Sequence, residues 1–476
     1  MLCRSGALAG SGRARDRAAL FASLLIVVAG CGSDGHRSLR DVDSGAGRPS
    51  QGSGGSVGTS HDAGSGGLAS RDAGSGGLES RDAGSGGLAS KDAGDSASLP
   101  APDGGTDDAG YPGYVWDLPL GFPIPVIPAD NPITPAKVSL GRYLFYDVRL
   151  SHNQIESCSS CHVQALAFTD GRARAVGSTG ILHPRSAMSL ANVGYASTLT
   201  WANPLETDLE HQALVPMFGD DPIELGLVSE QEIEARLAAV PAYDVLFDKA
   251  WPGDPSPVTL DHVVQALASF ERTIISGRSP FDRYQYGDTD AITESAKRGY
   301  ALFNSETMGC FHCHLGFDLT DHVNWAGKAF LDTPYHNTGL YNIDGKGAYP
   351  EPNTGVYHVT GKPQDMGRFK APTLRNVAVT APYMHDGSIA TLDEVLDHYQ
   401  AGGRTIKSGP YAGNGNLSPL KDPLVEPLTL TAQNRVDVIA FLDSLTDSEF
   451  LHDPAFANPW PPGATSPSAD SGPDAR

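Results

Sequence analysis

Positive charge is in short supply along this 476-residue chain: 34 Lys and Arg stand against 56 Asp and Glu, a formal net charge of −22. Such a balance repels the phosphates of nucleic acid and an anionic membrane face alike, so neither is expected as a partner. Bulky apolar residues are almost missing from one whole stretch. Between residues 32 and 110 the chain is mainly Gly, Ser, Ala and Asp, and 21 of its 55 glycines lie there. That composition cannot bury enough apolar surface to offset the entropy of ordering a backbone. Cysteine is scarce too, at six, and the places of those six exclude a disulfide framework. The folded part is therefore expected from about residue 111 to 450, with room for two domains of ordinary size.

Residues 1–30 read as an export leader. Arg4, Arg13, Arg15 and Arg17 form a basic start, and an apolar run follows from Ala18 to Ala29. The run is too short to cross a bilayer as a mature helix. It ends Val28-Ala29-Gly30-Cys31, which resembles the processing site of bacterial lipoproteins. Cys31 is then the expected lipidated residue, with an ordinary cleaved signal as the competing reading; Cys3 leaves with the leader. The protein is expected on the periplasmic side, as an outer-membrane lipoprotein of a Gram-negative bacterium, touching the membrane only through its lipid. Within residues 31–110 a decapeptide recurs, HDAGSGGLAS at 61, RDAGSGGLES at 71 and RDAGSGGLAS at 81. It has no apolar face to stack, so it predicts a disordered tether rather than a solenoid, with a reach of about 50 Å as a random coil. Residues 451–476, ending in Pro, Ser and Asp, are expected to form a disordered tail.

The remaining four cysteines stand in two CxxCH motifs, Cys158-Ser159-Ser160-Cys161-His162 and Cys310-Phe311-His312-Cys313-His314. In that spacing two thiols add across the vinyl groups of a haem, and the adjacent His becomes the proximal iron ligand. A zinc knuckle needs closely paired Cys pairs, and a redox CxxC needs a thioredoxin-like βαβ pattern. A separation of 152 residues and the His after each pair disfavour both. Two covalent c-type haems are expected, with His162 and His314 as axial ligands.

The surroundings of the motifs repeat. Thr134-Pro135 opens one helix through Leu140-Gly141-Arg142-Tyr143-Leu144-Phe145, and Thr293-Glu294 opens another through Arg298-Gly299-Tyr300-Ala301-Leu302-Phe303. Each begins with a capping Thr and carries a Gly that permits close approach. Leu260 to Ile275 has helical apolar spacing and is expected to link the domains. The fold class is mainly α: two cytochrome c-like haem domains packed together, residues 111–276 and 277–450, after the tether. Thr391 to Glu394 reads as a capping box and Gly402 as a helix end, with Leu392, Val395, Leu396 and Tyr399 on one face. On spacing alone Tyr399 is a core residue.

With these residues placed, the chain resembles the bacterial di-haem cytochrome c peroxidase superfamily. The likeness rests on Leu144-Phe145-Tyr146-Asp147-Val148-Arg149-Leu150-Ser151, on Phe369 to Val377, and on Ala381-Pro382-Tyr383-Met384-His385-Asp386-Gly387. Leu199-Thr200-Trp201-Ala202-Asn203-Pro204 and Glu224-Leu225-Gly226-Leu227 resemble a narrower group, the MauG-type enzymes and their MbnH type, which oxidise a tryptophan of a partner protein.

The resemblance implies roles. Tyr399 falls where peroxidases have Met and MauG-type enzymes Tyr, so it becomes the expected sixth ligand of the second iron, with Met384 as the alternative. Where reductively activated peroxidases carry a distal His, this chain has Ser178, which implies an open first haem; His183 nearby is read as a loop residue. Glu224 corresponds to the distal acid, Gln212 to a distal hydrogen-bonding partner, and Trp201 to the tryptophan between the haems. Asn192, Thr380 and Pro382 match an interdomain Ca²⁺ site. Met308 replaces the Trp that MauG uses to pass oxidising equivalents to its partner. The implied activity uses hydrogen peroxide to build a high-valent di-haem state that oxidises an aromatic residue, Trp first, of a small exported partner, suggested to be copper-binding. The alternatives are a cytochrome c peroxidase fed by a small c-type cytochrome, and an electron carrier without catalysis.

Overall fold

The computed structural model describes residues 114–461. The leader, Cys31 and the tether lie outside them. Eleven α-helices occur among the described residues: α1 (Pro135–Phe145), α2 (Cys158–Cys161), α3 (Leu209–Phe218), α4 (Glu230–Ala238), α5 (Pro241–Ala250), α6 (Leu260–Glu271), α7 (Pro280–Gln285), α8 (Glu294–Phe303), α9 (Tyr357–Thr360), α10 (Leu392–Gln400) and α11 (Ala432–Asp443). Strand is limited to β1 (Thr405–Ile406) against β2 (Gly413–Asn414), antiparallel, with five isolated bridges. The mainly α expectation therefore holds. No described helix is long and apolar enough to cross a membrane.

The repeat read in the sequence is a repeat of packing. Thr134 Oγ1 accepts from Lys137 N to start α1, and Thr293 Oγ1 accepts from Ala296 N to start α8. α1 packs on α6 and α8 on α11. At each crossing a glycine lets two backbones meet. A Cβ at Gly141 would lie 1.9 Å from the Ala266 carbonyl oxygen, and one at Gly299 equally 1.9 Å from that of Asp437. Around the first crossing Leu140, Leu144, Phe145, Leu267 and Phe270 are buried; around the second, Ala296, Phe303, Val438 and Phe441.

Two expectations need correction. The helix expected to run to Ile275 stops at Glu271. The β-branched run Thr273-Ile274-Ile275 lowers helix propensity, and Ile274 and Ile275 are buried outside the helix. α6 is also not a linker, since it packs against α1, α3 and α4. The second correction concerns the tail: residues 451–461 are ordered against the first core. Phe456 is buried there, Tyr146 Oη donates to its carbonyl at 2.6 Å, and Trp460 Nε1 donates to Tyr143 O at 3.0 Å with the rings edge to face.

A buried polar cluster joins the chain segments between the cores. Asn192 and Asn376 both adopt positive φ, 62° and 60°, a region Asn tolerates. Asn192 Oδ1 accepts from Ser276 N, Asn376 Nδ2 donates to Ser276 Oγ, and Asn376 Oδ1 accepts from Asp447 N. Asp447 Oδ2 then accepts from Ser276 Oγ and from the backbone N–H of Gly277 and Arg278.

Candidate active site

Each CxxCH begins as a short turn of helix and ends with its His turned back onto a carbonyl. His162 Nδ1 lies 2.8 Å from Phe168 O, and His314 Nδ1 lies 3.1 Å from Leu319 O. Positive φ at Phe168 (61°) and Leu319 (51°) carries these carbonyls to the rings. With Nδ1–H donated, Nε2 is the free ligating nitrogen, the usual way a protein fixes the tautomer of a metal-binding His. Burial pulls both imidazoles below their usual range, which keeps that nitrogen unprotonated.

The four thiols are free. Burial pushes Cys161 up to about 11 and Cys310 up to about 12, and raises Cys158 further. A redox CxxC needs a lowered thiol pKa, so these pairs are not built for thiol exchange. Two thiols and a carbonyl-anchored imidazole at each motif are the donor set of a c-type haem. A cavity of about 300 Å³ adjoins the second motif, lined by Cys310, Cys313, His314, Trp201, Met384 and Tyr399. The residues present fit the group.

On α10, capped by Thr391 and Glu394, the side chains of Leu392, Val395, Leu396 and Tyr399 all face that cavity. The Tyr399 hydroxyl makes no hydrogen bond to protein, and burial raises its pKa. A phenolate there needs a neighbouring cation such as ferric iron. Met384 lines the same cavity, so geometry brings both sequence candidates to one wall. Trp201 lines it as well, with its Nε1 donating to Ser186 O at 3.0 Å.

Glu224 belongs to a segment tied to the end of α3 by Leu225 N to Pro216 O and Leu227 N to Met217 O. Its carboxylate is partly exposed, at 38%, yet burial pushes its pKa up to about 7. Gln212, one turn into α3, is half-buried with its amide free of protein hydrogen bonds, and no bond joins it to Glu224. Ser178 donates its backbone N–H to Glu224 O at 2.7 Å. It sits in a hairpin, Val176 opposite Leu182, and a Cβ at Gly177 would lie 2.0 Å from Ile223 O. His183 is a loop residue, as read from the sequence, and the loop brings its Nε2 to 3.6 Å from Glu224 Oε1. The turn residues Gly177 and Gly180 were the available signal.

Asn192, Thr380 and Pro382 share the cavity wall. Asn192 Nδ2 donates to Ser276 O and Asp318 Oδ1, and its Oδ1 accepts from Ser276 N. One lone pair remains on that oxygen, and the Thr380 and Pro382 carbonyls accept no protein hydrogen bond.

Residues 135–290 match the model of the di-haem cytochrome c peroxidase family. The methylamine utilization protein MauG of Methylorubrum extorquens is 36% identical over 320 residues, covering 67% of this chain and 80% of that protein. The cytochrome-c peroxidase IdrP1 of Denitromonas iodatirespirans is 36% identical over 363 residues, 72% of this chain and 90% of its own. Among solved structures, a MauG-like protein associated with microbial copper homeostasis is 49% identical with a TM-score of 0.72, covering 73% of this chain and 100% of that one. With two CxxCH motifs, each backed by a carbonyl-anchored histidine, and with these relatives, the chain belongs to the di-haem cytochrome c peroxidase family: it is a peroxidase-type oxidoreductase with two haems.

Proposed function

We propose that the enzyme uses hydrogen peroxide to oxidise an aromatic side chain, Trp first, on a small exported partner protein. The observation that carries this reading is Tyr399, with no hydrogen-bond partner on its hydroxyl, facing the cavity that His314 lines. A phenolate suits ferric and more oxidised iron, whereas a thioether raises the potential. Bound haem supplies the two-electron reduction of peroxide; the chain's residues hold and position. Cys158, Cys161 and His162 would hold the first haem, and Cys310, Cys313, His314 and Tyr399 the second. Glu224 takes the proton from one peroxide oxygen and returns it to the other, as a carboxylate with a pKa near 7 is suited to do. Gln212, with its amide free of protein hydrogen bonds on α3, would be the second polar group to meet the peroxide. Trp201, whose Nε1 is anchored on Ser186 O at the wall of the cavity beside the second motif, would serve as the electron relay between the two haems.

Peroxide becomes two waters with two electrons and two protons, and the electrons come from the partner's ring. The MauG-like relative's association with copper homeostasis makes a copper-binding partner the first to try. Ca²⁺ on Asn192, Thr380 and Pro382 would tie the two cores together. Cys31 would carry the lipid that fixes the enzyme on the periplasmic side.

The test is mass spectrometry of a copper-binding partner candidate after peroxide and enzyme: a mass change on Trp is expected, and an unchanged mass contradicts the reading. The relatives named cytochrome-c peroxidase favour a second reading, reduction of peroxide to water by a small cytochrome. Fast steady-state turnover with reduced cytochrome c would select it.

A further inference from the structure

Beside the second motif lies a cluster that the peroxide chemistry above does not use. His336 is held at both ring nitrogens by carboxylates, Nδ1 at 2.7 Å from Asp422 Oδ2 and Nε2 at 2.7 Å from Asp321 Oδ2. Only an imidazolium donates from both nitrogens at once. All three side chains are largely buried. Burial alone would lower the imidazole; the hydrogen bonds to the two carboxylates act against it and raise it. Two carboxylates and one imidazolium leave one net negative charge. That sum is the same whether the shared proton rests on the ring or on a carboxylate.

The place of this charge gives it meaning. Cys313 Sγ, Asp321 and His336 offer atoms within 4.8 Å of one another. Once Cys313 is a thioether its sulfur is neutral, so the cluster is not a thiolate metal site. It is an anion beside the sulfur through which the second haem would be attached, and His336 lines the same cavity as His314. Asp321 Oδ1 is buried without a hydrogen-bond partner, so nothing bonded to it offsets its share of the charge. The nearest imidazole does not offset it either. His322 Nε2 is 3.9 Å away, its two nitrogens are engaged by Pro334 O and Thr198 Oγ1, and burial lowers it to about 4. Lys370 Nζ, the buried cation near His322, is bonded to Thr198 O. A negative charge held in a low-dielectric wall stabilises whichever neighbouring state carries more positive charge.

We propose that the Asp321–His336–Asp422 triad is a positioning device for the redox level of the second haem, favouring its more oxidised state. The proposal rests on Cys310, Cys313 and His314 holding that haem, and not on the identity of the partner. The test is a redox titration of the holoprotein, with both midpoints read from optical spectra and the first haem as internal control. In the double variant Asp321→Asn/Asp422→Asn the triad has no negative charge in any protonation state. The expected result is an upward shift of the second-haem midpoint, an unmoved first-haem midpoint and an unchanged low-spin spectrum. Asp321→Asn alone should give part of the shift, and carries the test if the double variant fails to load haem. A second-haem midpoint that stays or moves down with its spectrum intact overturns the proposal, as does an equal shift in both haems. A wild-type protein with one haem overturns the haem assignment itself, and that is seen before any variant is made.

Discussion

Glu224 shows how placement decides chemistry at the residue scale. A carboxylate on open surface is ionised throughout the neutral range and too weak a base to move a peroxide proton well. Burial brings this one to about 7, near the optimum for transfer at working pH. The reactive form is the carboxylate, so the rate of reaction with peroxide should fall as pH drops through about 7 and level off above it. Stopped-flow traces across pH 5.5–8.5 check this. Glu224→Gln should slow the reaction by about 10²- to 10⁴-fold and abolish the acid limb; a limb that survives the substitution assigns the proton to another group, with His183, 3.6 Å away, first in line. Tyr399→Phe keeps the ring and removes only the hydroxyl. It should convert the second haem's low-spin electron paramagnetic resonance signal to another species while leaving the melting temperature within a few degrees. Persistence of the original signal would pass the ligand role to Met384, which lines the same cavity.

Among the elements, the two helix crossings are where a small change should cost most. Gly141→Ala and Gly299→Ala each place a Cβ 1.9 Å from a backbone carbonyl that belongs to the partner helix. Neither helix can yield without moving its apolar face, so each substitution should destabilise by about 3 kcal/mol or prevent folding; denaturant unfolding of the holoprotein reads this directly. These crossings were legible in the sequence because their signals are local. A capping Thr, a Pro or Glu after it and a Gly within an apolar stripe all lie within one helix, and CxxCH places its chemistry within five residues. Other features were not legible for the opposite reason. Asp321, His336 and Asp422 meet only after the chain folds, and no spacing marks them as a set. Leu451, Phe456 and Trp460 follow neither a helical nor a strand period and stand among Pro and Asp, so they read as a tail although Leu451 and Phe456 are buried. His183 reached Glu224 through a glycine hairpin whose partner is some forty residues away in sequence.

For the whole molecule, the two cores are held by polar and apolar ties that cross between distant segments. Asp447 Oδ2 collects three donors from residues 276–278, and buried donors left without a partner cost about 1–3 kcal/mol each. Asp447→Ala should therefore lower stability by about 3 kcal/mol or more. Phe456→Ala, which opens a void against the first core, should cost about 3 kcal/mol; calorimetry of both variants checks these values, and a loss under 1 kcal/mol for Phe456→Ala would mean that the segment lies on the core without stabilising it. The account's central claim is an asymmetry, one haem open to peroxide beside Glu224 and one closed by Tyr399. Electron paramagnetic resonance of the ferric holoprotein, before and after one equivalent of hydrogen peroxide, tests it most directly. The account predicts one high-spin and one low-spin haem, both altered by peroxide; two low-spin haems that peroxide leaves unchanged would contradict it.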